Sequence, residues 1–204
     1  MSETKSERIP AAQRREQILD AAAKEFGERG YAATTTDQVA QAAGISQPYV
    51  VRMFGSKEKL FAEVLDRAKA RLEDLLRTAL ARPDVQALSK KERMLFLGRA
   101  YVDLVDDGGI VLPLMQAFLL GHDPVLGPKA REGFLRIYRI LRDEAGFAPE
   151  DARDFLQGGM LLNTLLTLRM ADLYSDDPTA HELLACVFGE RLGVVLKSSD
   201  KAVS

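Results

Sequence analysis

The sequence predicts an all-α fold of about nine helices, with a small N-terminal helix-turn-helix domain and a larger helical C-terminal one. Three observations carry this. Apolar residues recur at three- and four-residue spacings, and no stretch alternates long enough for a strand. The breaks DDGG, GHDP, AGFAP and SDDP are dense in glycine, proline and aspartate. The composition, 47% apolar and 28% charged over 204 residues, is that of an ordinary globular chain with enough apolar surface for a core.

The first helix is expected from Pro10 to Arg29. Proline suits a first-turn position, and Ile18, Ala22 and Phe26 form one apolar stripe. Gly30 then stops the helix. Thr35, with Gln38 three residues later, matches a capping box and opens a two-turn helix to Ala43, which Gly44 ends in a left-handed conformation. Ser46 caps a third helix through Phe54. Pro48 falls in its first turn, where the missing N–H has no intrahelical partner. Ser56 caps a fourth helix that runs to Arg82 and is closed by Pro83. Five more helices follow at roughly 90–106, 110–121, 124–145, 149–174 and 178–197.

The net charge is −2, so any basic footprint must be local. The single cysteine, Cys186, excludes an internal disulfide framework and fits a reducing compartment. It lies in the run LLACVFG and reads as buried packing. The first ten residues carry no signal-peptide pattern, and the apolar run at 155–170 is interrupted by Gln157, Asn163 and Arg169. A cytoplasmic protein without a membrane span is expected.

Gly44-Ile45-Ser46 has the length of the turn in a helix-turn-helix. Ala40 and Ala43 let the two helices cross closely, while Ile45, Val50 and Phe54 bury together beneath. That leaves Gln47, Tyr49, Val51, Arg52 and Met53 towards the sides and the outward face. Glutamine can pair with adenine and arginine with guanine. Lys57 joins a positive charge to a helix N-terminus, a combination suited to phosphate. Between Gly44 and Leu60, Arg52, Lys57 and Lys59 stand against Glu58 alone. This stretch is basic although the chain is not.

The runs ILDAAAKEFGERGYAATTTDQVAQAAGIS (18–46) and FGSKEKLF (54–61) resemble the N-terminal domain of the tetracycline-repressor (TetR) family of bacterial transcription regulators. The resemblance covers under a third of the chain. It implies phosphate contacts from Thr35 and Thr36, a groove-facing set of Gln47, Pro48, Tyr49, Arg52 and Met53, and a phosphate-contacting Lys57. Two departures stand out. Val51 takes the place of the family's usual tyrosine, for which Tyr49 can substitute. Asp37 stands where a basic or neutral residue is usual, and we read it as a favourable charge in the first turn of its helix.

In the C-terminal part, aromatics and methionines recur on the middle helices. Met94, Phe96, Tyr101, Met115, Phe118, Phe134, Tyr138 and Met160 are read as a set that lines a ligand cavity, with Asn163 as its polar anchor and Gln116 and Arg131 as further candidates. The resemblance likewise implies a cavity enclosed by these helices. Ala185, Gly189 and Gly193 form a stripe of small residues whose glycines cost helix propensity, a cost explained by close approach of another helix, from a second copy or from the same chain. Gly158, Gly159, Leu162 and Leu166 on the preceding helix complete the homodimer interface that the resemblance implies.

No nucleophile, nucleotide or dinucleotide signature occurs, so neither an enzyme nor a cofactor is expected. His122 and His181 lack a third clustered ligand for a metal. The expected organisation is a disordered tail (1–9), a DNA-binding domain (10–61) and a ligand-binding and dimerisation domain (62–204), the fourth helix linking the two. The expected function is a homodimeric repressor on a palindromic double-stranded operator, released by a small apolar effector. The alternatives are an activator of the same family and a small-molecule sequestering protein with a degenerate DNA head.

Overall fold

The computed structural model describes residues 10–105 and 110–201. The expected tail at 1–9 and the DDGG break at 106–109 lie outside them. Among the described residues the regular elements are all helices, and the chain divides into two compact units, Met1–Val64 and Leu65–Ser204, against the boundary expected after residue 61.

The first unit holds α1 (Ala11–Ala33), α2 (Thr36–Ala42), α3 (Gln47–Phe54) and the opening turns of α4 (Lys57–Leu80). Ile18, Leu19, Ala22, Ala23 and Phe26 of α1 are buried, as their spacing requires. The rings of Phe26 and Tyr31 each lie 4.9 Å from that of Phe61. Gly30 breaks α1 at φ 83° and ψ 157°, a conformation glycine adopts without a Cβ penalty, and one more turn follows it. The Thr34 hydroxyl secures this break. Fully buried, it lies 2.8 Å from the Gly30 carbonyl and 3.0 Å from that of Glu25.

The second unit comprises the rest of α4 with α5 (Pro83–Gln86), α6 (Lys90–Val105), α7 (Val111–Leu119), α8 (Leu126–Arg139), α9 (Pro149–Thr167), α10 (Pro178–Phe188) and α11 (Leu192–Lys201). One core cluster joins Leu76, Leu97, Ile140, Leu141 and Phe147. A second joins Tyr101, Val102, Leu162, Leu165, Leu184 and Phe188. Glu73, buried on α4, is bonded by Arg77 at 3.2 Å and Arg136 at 3.4 Å, so its charge does not stand alone.

Several expectations are corrected here. Pro83 does more than end α4; it opens α5, where its fixed φ suits a first turn. The helix expected to reach 145 ends in a π-helical turn, Ile140–Glu144, closed by the Ala145 N–H on the Ile140 carbonyl at 2.9 Å. The helix expected to reach 174 stops at Thr167. Arg169 turns left-handed at φ 53°, and a 3₁₀ turn, Met170–Leu173, follows.

The last expected helix is two helices. Gly189 (φ 50°, ψ −126°) ends α10, so Ala185, Gly189 and Gly193 do not line one continuous face. Leu162 is buried in its own chain's core and Leu166 packs against it. Gly158, Leu161 and Thr164 of α9, with Leu168 just after it, are among the exposed positions. Cys186 is exposed and not packing. Helix α10 buries Ala180, Leu184 and Phe188 at four-residue spacing, and position 186 falls on the other side.

Candidate nucleic-acid interface and an apolar cavity

The first candidate site is built by three local devices. Thr35 and Gln38 form the reciprocal capping box. The Gln38 N–H donates to the Thr35 hydroxyl at 3.2 Å, and the Thr35 N–H donates to the Gln38 side-chain oxygen at 2.8 Å. Asp37 lies in the first turn, where its charge favours the helix, and accepts from the Gln41 amide at 3.1 Å.

The turn into α3 is a Schellman motif. The Ile45 N–H reaches the Ala40 carbonyl at 2.9 Å and the Gly44 N–H that of Gln41 at 3.0 Å, with Gly44 at φ +65°. Ser46 occupies the position before α3, but its side chain makes no capping bond. Pro48 removes one of the two N–H donors such a cap accepts, and the other, on Tyr49, goes to the Ser46 carbonyl at 3.0 Å. Ser56 does cap α4, accepting from the Lys59 N–H at 3.2 Å.

Val50 and Phe54 anchor α3 inwards. Pro48, Val51 and Arg52 are consequently exposed, whereas Gln47, Tyr49 and Met53 lie half-buried along the flanks. The Arg52 guanidinium rests 4.9 Å from the centre of the Tyr49 ring, one turn away, and is thereby held along the helix face. The Gln47 amide donates to the Thr36 hydroxyl at 3.2 Å, tying the first residue of α3 to the first of α2. Lys57 is turned inwards. Its ammonium donates to the carbonyls of Tyr31 at 3.0 Å and Ala32 at 3.2 Å, leaving one of its three N–H groups. Arg15 is engaged as well, paired with Glu63 and set over the Phe54 ring at 5.0 Å.

The second candidate site is a cavity of about 80 Å³ within the second unit. Of the residues expected to line it, Tyr101, Phe118, Phe134, Met160 and Asn163 do so, whereas Phe96 packs against the Leu76–Leu141 core. Met94 and Tyr138 pack against the Leu76–Leu141 core, and Met115 packs against the Tyr101–Phe188 core. Gln116 and Arg131 are not among the lining residues, and the Arg131 guanidinium donates to the Gly121 carbonyl at 2.9 Å. Gly159, expected at a dimer interface, is among the residues lining the cavity.

Sequence reasoning missed Leu65, Leu72 and Lys69, which form the α4 wall. They sit in an ordinary amphipathic pattern, and only the approach of α8 separates them from plain core. Gly133 on α8 marks that approach, because an added Cβ would run into the Lys69 side chain.

Tyr101 and Asn163 meet inside the cavity wall, the phenol donating to Asn163 Oδ1 at 2.7 Å. Burial pushes the Tyr101 hydroxyl up to about 12, although the bond to Asn163 acts the other way. It therefore stays protonated at neutral pH.

The chain thus has a helix-turn-helix with an exposed arginine on its second helix, followed by a larger helical unit that holds an apolar cavity. Residues 18–64 match the model of bacterial regulatory proteins, tetR family. The match covers the N-terminal helix-turn-helix part, which is similar to the DNA-binding domain of that family.

The chain is 33% identical over 99 residues to a protein named HTH-type transcriptional activator FasR from Mycolicibacterium smegmatis, covering 48% of this chain and 43% of that one. It spans less than half the length of the curated relatives that head the comparison. The likeness of fold extends over most of the chain. A TetR transcriptional regulator from Legionella pneumophila superposes with a TM-score of 0.65 at 22% identity, covering 96% of this chain and 98% of that one. The fatty acid degradation regulator FadR from Bacillus halodurans does so with a TM-score of 0.59 at 17% identity, covering 93% and 97%. No described helix is long and apolar enough to cross a membrane.

Proposed function

We propose that this chain is a homodimeric repressor that lays α3 in the major groove of a palindromic operator and is released by a small apolar effector. The observation that carries the DNA-binding part is the presentation of Arg52. Val50 and Phe54 fix the roll of α3, and Tyr49 holds the guanidinium along the exposed face. Arg52 then reads a guanine, and Pro48 and Val51 offer apolar surface to thymine methyls. Gln47, Tyr49 and Met53 line the walls of the groove. Thr35 and Thr36, with the remaining N–H of Lys57, meet the phosphates. Each protomer contributes one reading helix, so half-sites lie roughly 34–36 Å apart or at a multiple of that spacing.

The proposed dimer interface uses Gly158 and Leu161 of α9, Leu168 at its C-terminal end, and Leu183 and Ala185 of α10, which are exposed on the single chain. The effector occupies the cavity bounded by Tyr101, Phe118, Phe134 and Asn163, and favours a spacing of the two reading heads that no longer fits DNA. Its effect equals its differential affinity for the two states, typically about 1–3 kcal/mol. The test is selection from random duplexes by the full chain, followed by transcription from the selected promoter. A palindrome bound in a salt-dependent manner, with transcription reduced, supports the proposal. Failure to select any motif refutes DNA reading, and increased transcription makes the protein an activator, as the FasR relative is named.

A further inference from the structure

The polar groups of the cavity wall differ in what they leave open. The Lys69 ammonium is bonded to Asp66 Oδ1 at 2.7 Å and approaches the Lys129 carbonyl at 3.5 Å, while its carbon stem lies against Gly133. The Lys69 side chain is only 12% exposed. Lys129 reaches the second oxygen of Asp66 at 2.6 Å. Burial alone would raise the Asp66 carboxyl, but the bonds from Lys129 and Lys69 outweigh it and hold the group below its ordinary value. Asp66 stays ionised, and the charge of Lys69 is already answered. What Lys69 offers the cavity is hydrocarbon.

Asn163 is different. The residue is 6% exposed and lines the cavity, and its Oδ1 is occupied by the Tyr101 hydroxyl at 2.7 Å. The oxygen end of the amide faces the phenol, and Nδ2 is its other end. Nδ2 has no hydrogen-bond partner among the described residues. A donor in an apolar lining gains a hydrogen bond when a ligand oxygen is placed against it.

Resting on the reading of this cavity as the effector site, we infer that Asn163 selects a neutral, apolar effector carrying one hydrogen-bond acceptor, a ketone, aldehyde, ester or lactone carbonyl set against Nδ2. A carboxylate would enter a lining without an unanswered cation and would have to leave its hydration behind. A pure hydrocarbon would leave Nδ2 unsatisfied. The volume of about 80 Å³ accommodates a compact ring or short chain, at roughly 10–15 Å³ for each water-sized group.

The test uses the full chain and three ring probes of closely similar shape, titrated by NMR. They are cyclohexanone, methylenecyclohexane (a CH₂ in place of the oxygen) and cyclohexanecarboxylate. Cyclohexanone is expected to bind roughly tenfold more tightly than methylenecyclohexane, with the carboxylate weakest. Asn163→Leu, of similar volume, should erase that preference and keep hydrocarbon binding. Tyr101→Phe, which lets the amide turn over, should shrink the preference. The wild-type comparison stands even if a variant folds poorly. Equal binding of ketone and hydrocarbon, a carboxylate that binds most tightly, no binding by any probe, or a preference that survives Asn163→Leu overturns the inference. Release from operator DNA is measured separately. Ketone selection without release upholds the role of Asn163 and refutes the effector reading.

Discussion

The Lys57 ammonium stands 4.7 Å from the centre of the Tyr31 ring and bonds the carbonyls of Tyr31 and Ala32. One cation at the start of α4 thus closes the last turn of α1, where carbonyls lack helical partners and the helix dipole favours positive charge. Lys57→Met should destabilise the chain by about 1–2 kcal/mol, from a charged hydrogen bond and a cation–π contact. If its third N–H also meets phosphate, the slope of log binding constant against log salt should fall by about 0.9. Both are expected. A stability loss with an unchanged slope would make Lys57 wholly internal.

Arg52 carries base reading. Arg52→Ala should weaken binding to the selected operator by about 1–3 kcal/mol and relax the preference at one base pair. Arg52→Lys should keep the salt slope but lose that preference, because the bidentate fork is gone. A binding assay against single-base operator variants distinguishes them.

The capping box positions the first residues of α2. Thr35→Ala should cost about 1 kcal/mol, read from the denaturation midpoint of the full chain. Thr35→Ser, which keeps the accepting oxygen, should cost a few tenths of that at most.

Gly127 opens the first turn of α8, and a Cβ there would strike the backbone carbonyl of Gly121, with the Gly121 carbonyl carbon at 3.0 Å. Backbone cannot swing aside as a side chain can. Gly127→Ala should destabilise by about 1–3 kcal/mol despite alanine's advantage of about 1 kcal/mol in helix propensity.

Tyr101 makes stability depend on alkaline pH. Its hydroxyl ionises near 10 in the unfolded chain and near 12 in the folded one. The folded state therefore keeps a proton that the unfolded state has lost. The contribution is intact below pH 10 and declines between pH 10 and 12 by up to about 1.4 kcal/mol per unit. Tyr101→Phe should flatten that part of the stability profile. Spectrophotometric titration should show one tyrosine ionising about two units later than an ordinary phenol.

By itself the sequence determined the parts governed by local chemistry. The capping box at Thr35, the left-handed Gly44, the proline tolerated at position 48 and the inward pair Val50 and Phe54 depend on neighbours within a few residues, and all were legible. The presence and order of the long helices followed from apolar spacing for the same reason. The tertiary structure decided the rest. Gly189 could have been a helical contact residue or a break, and its left-handed φ made it a break. Leu162 and Leu161 are adjacent and chemically alike, yet only the packing of α9 sends one inwards and the other out. Lys57 carries the same charge wherever it points, and Tyr31, 26 residues earlier, draws it inwards. Lys69 became cavity wall because Gly133, distant in sequence, lets α8 close over its stem. Side-chain type sets what a residue can do, but burial, orientation and partner depend on contacts between segments far apart in the chain.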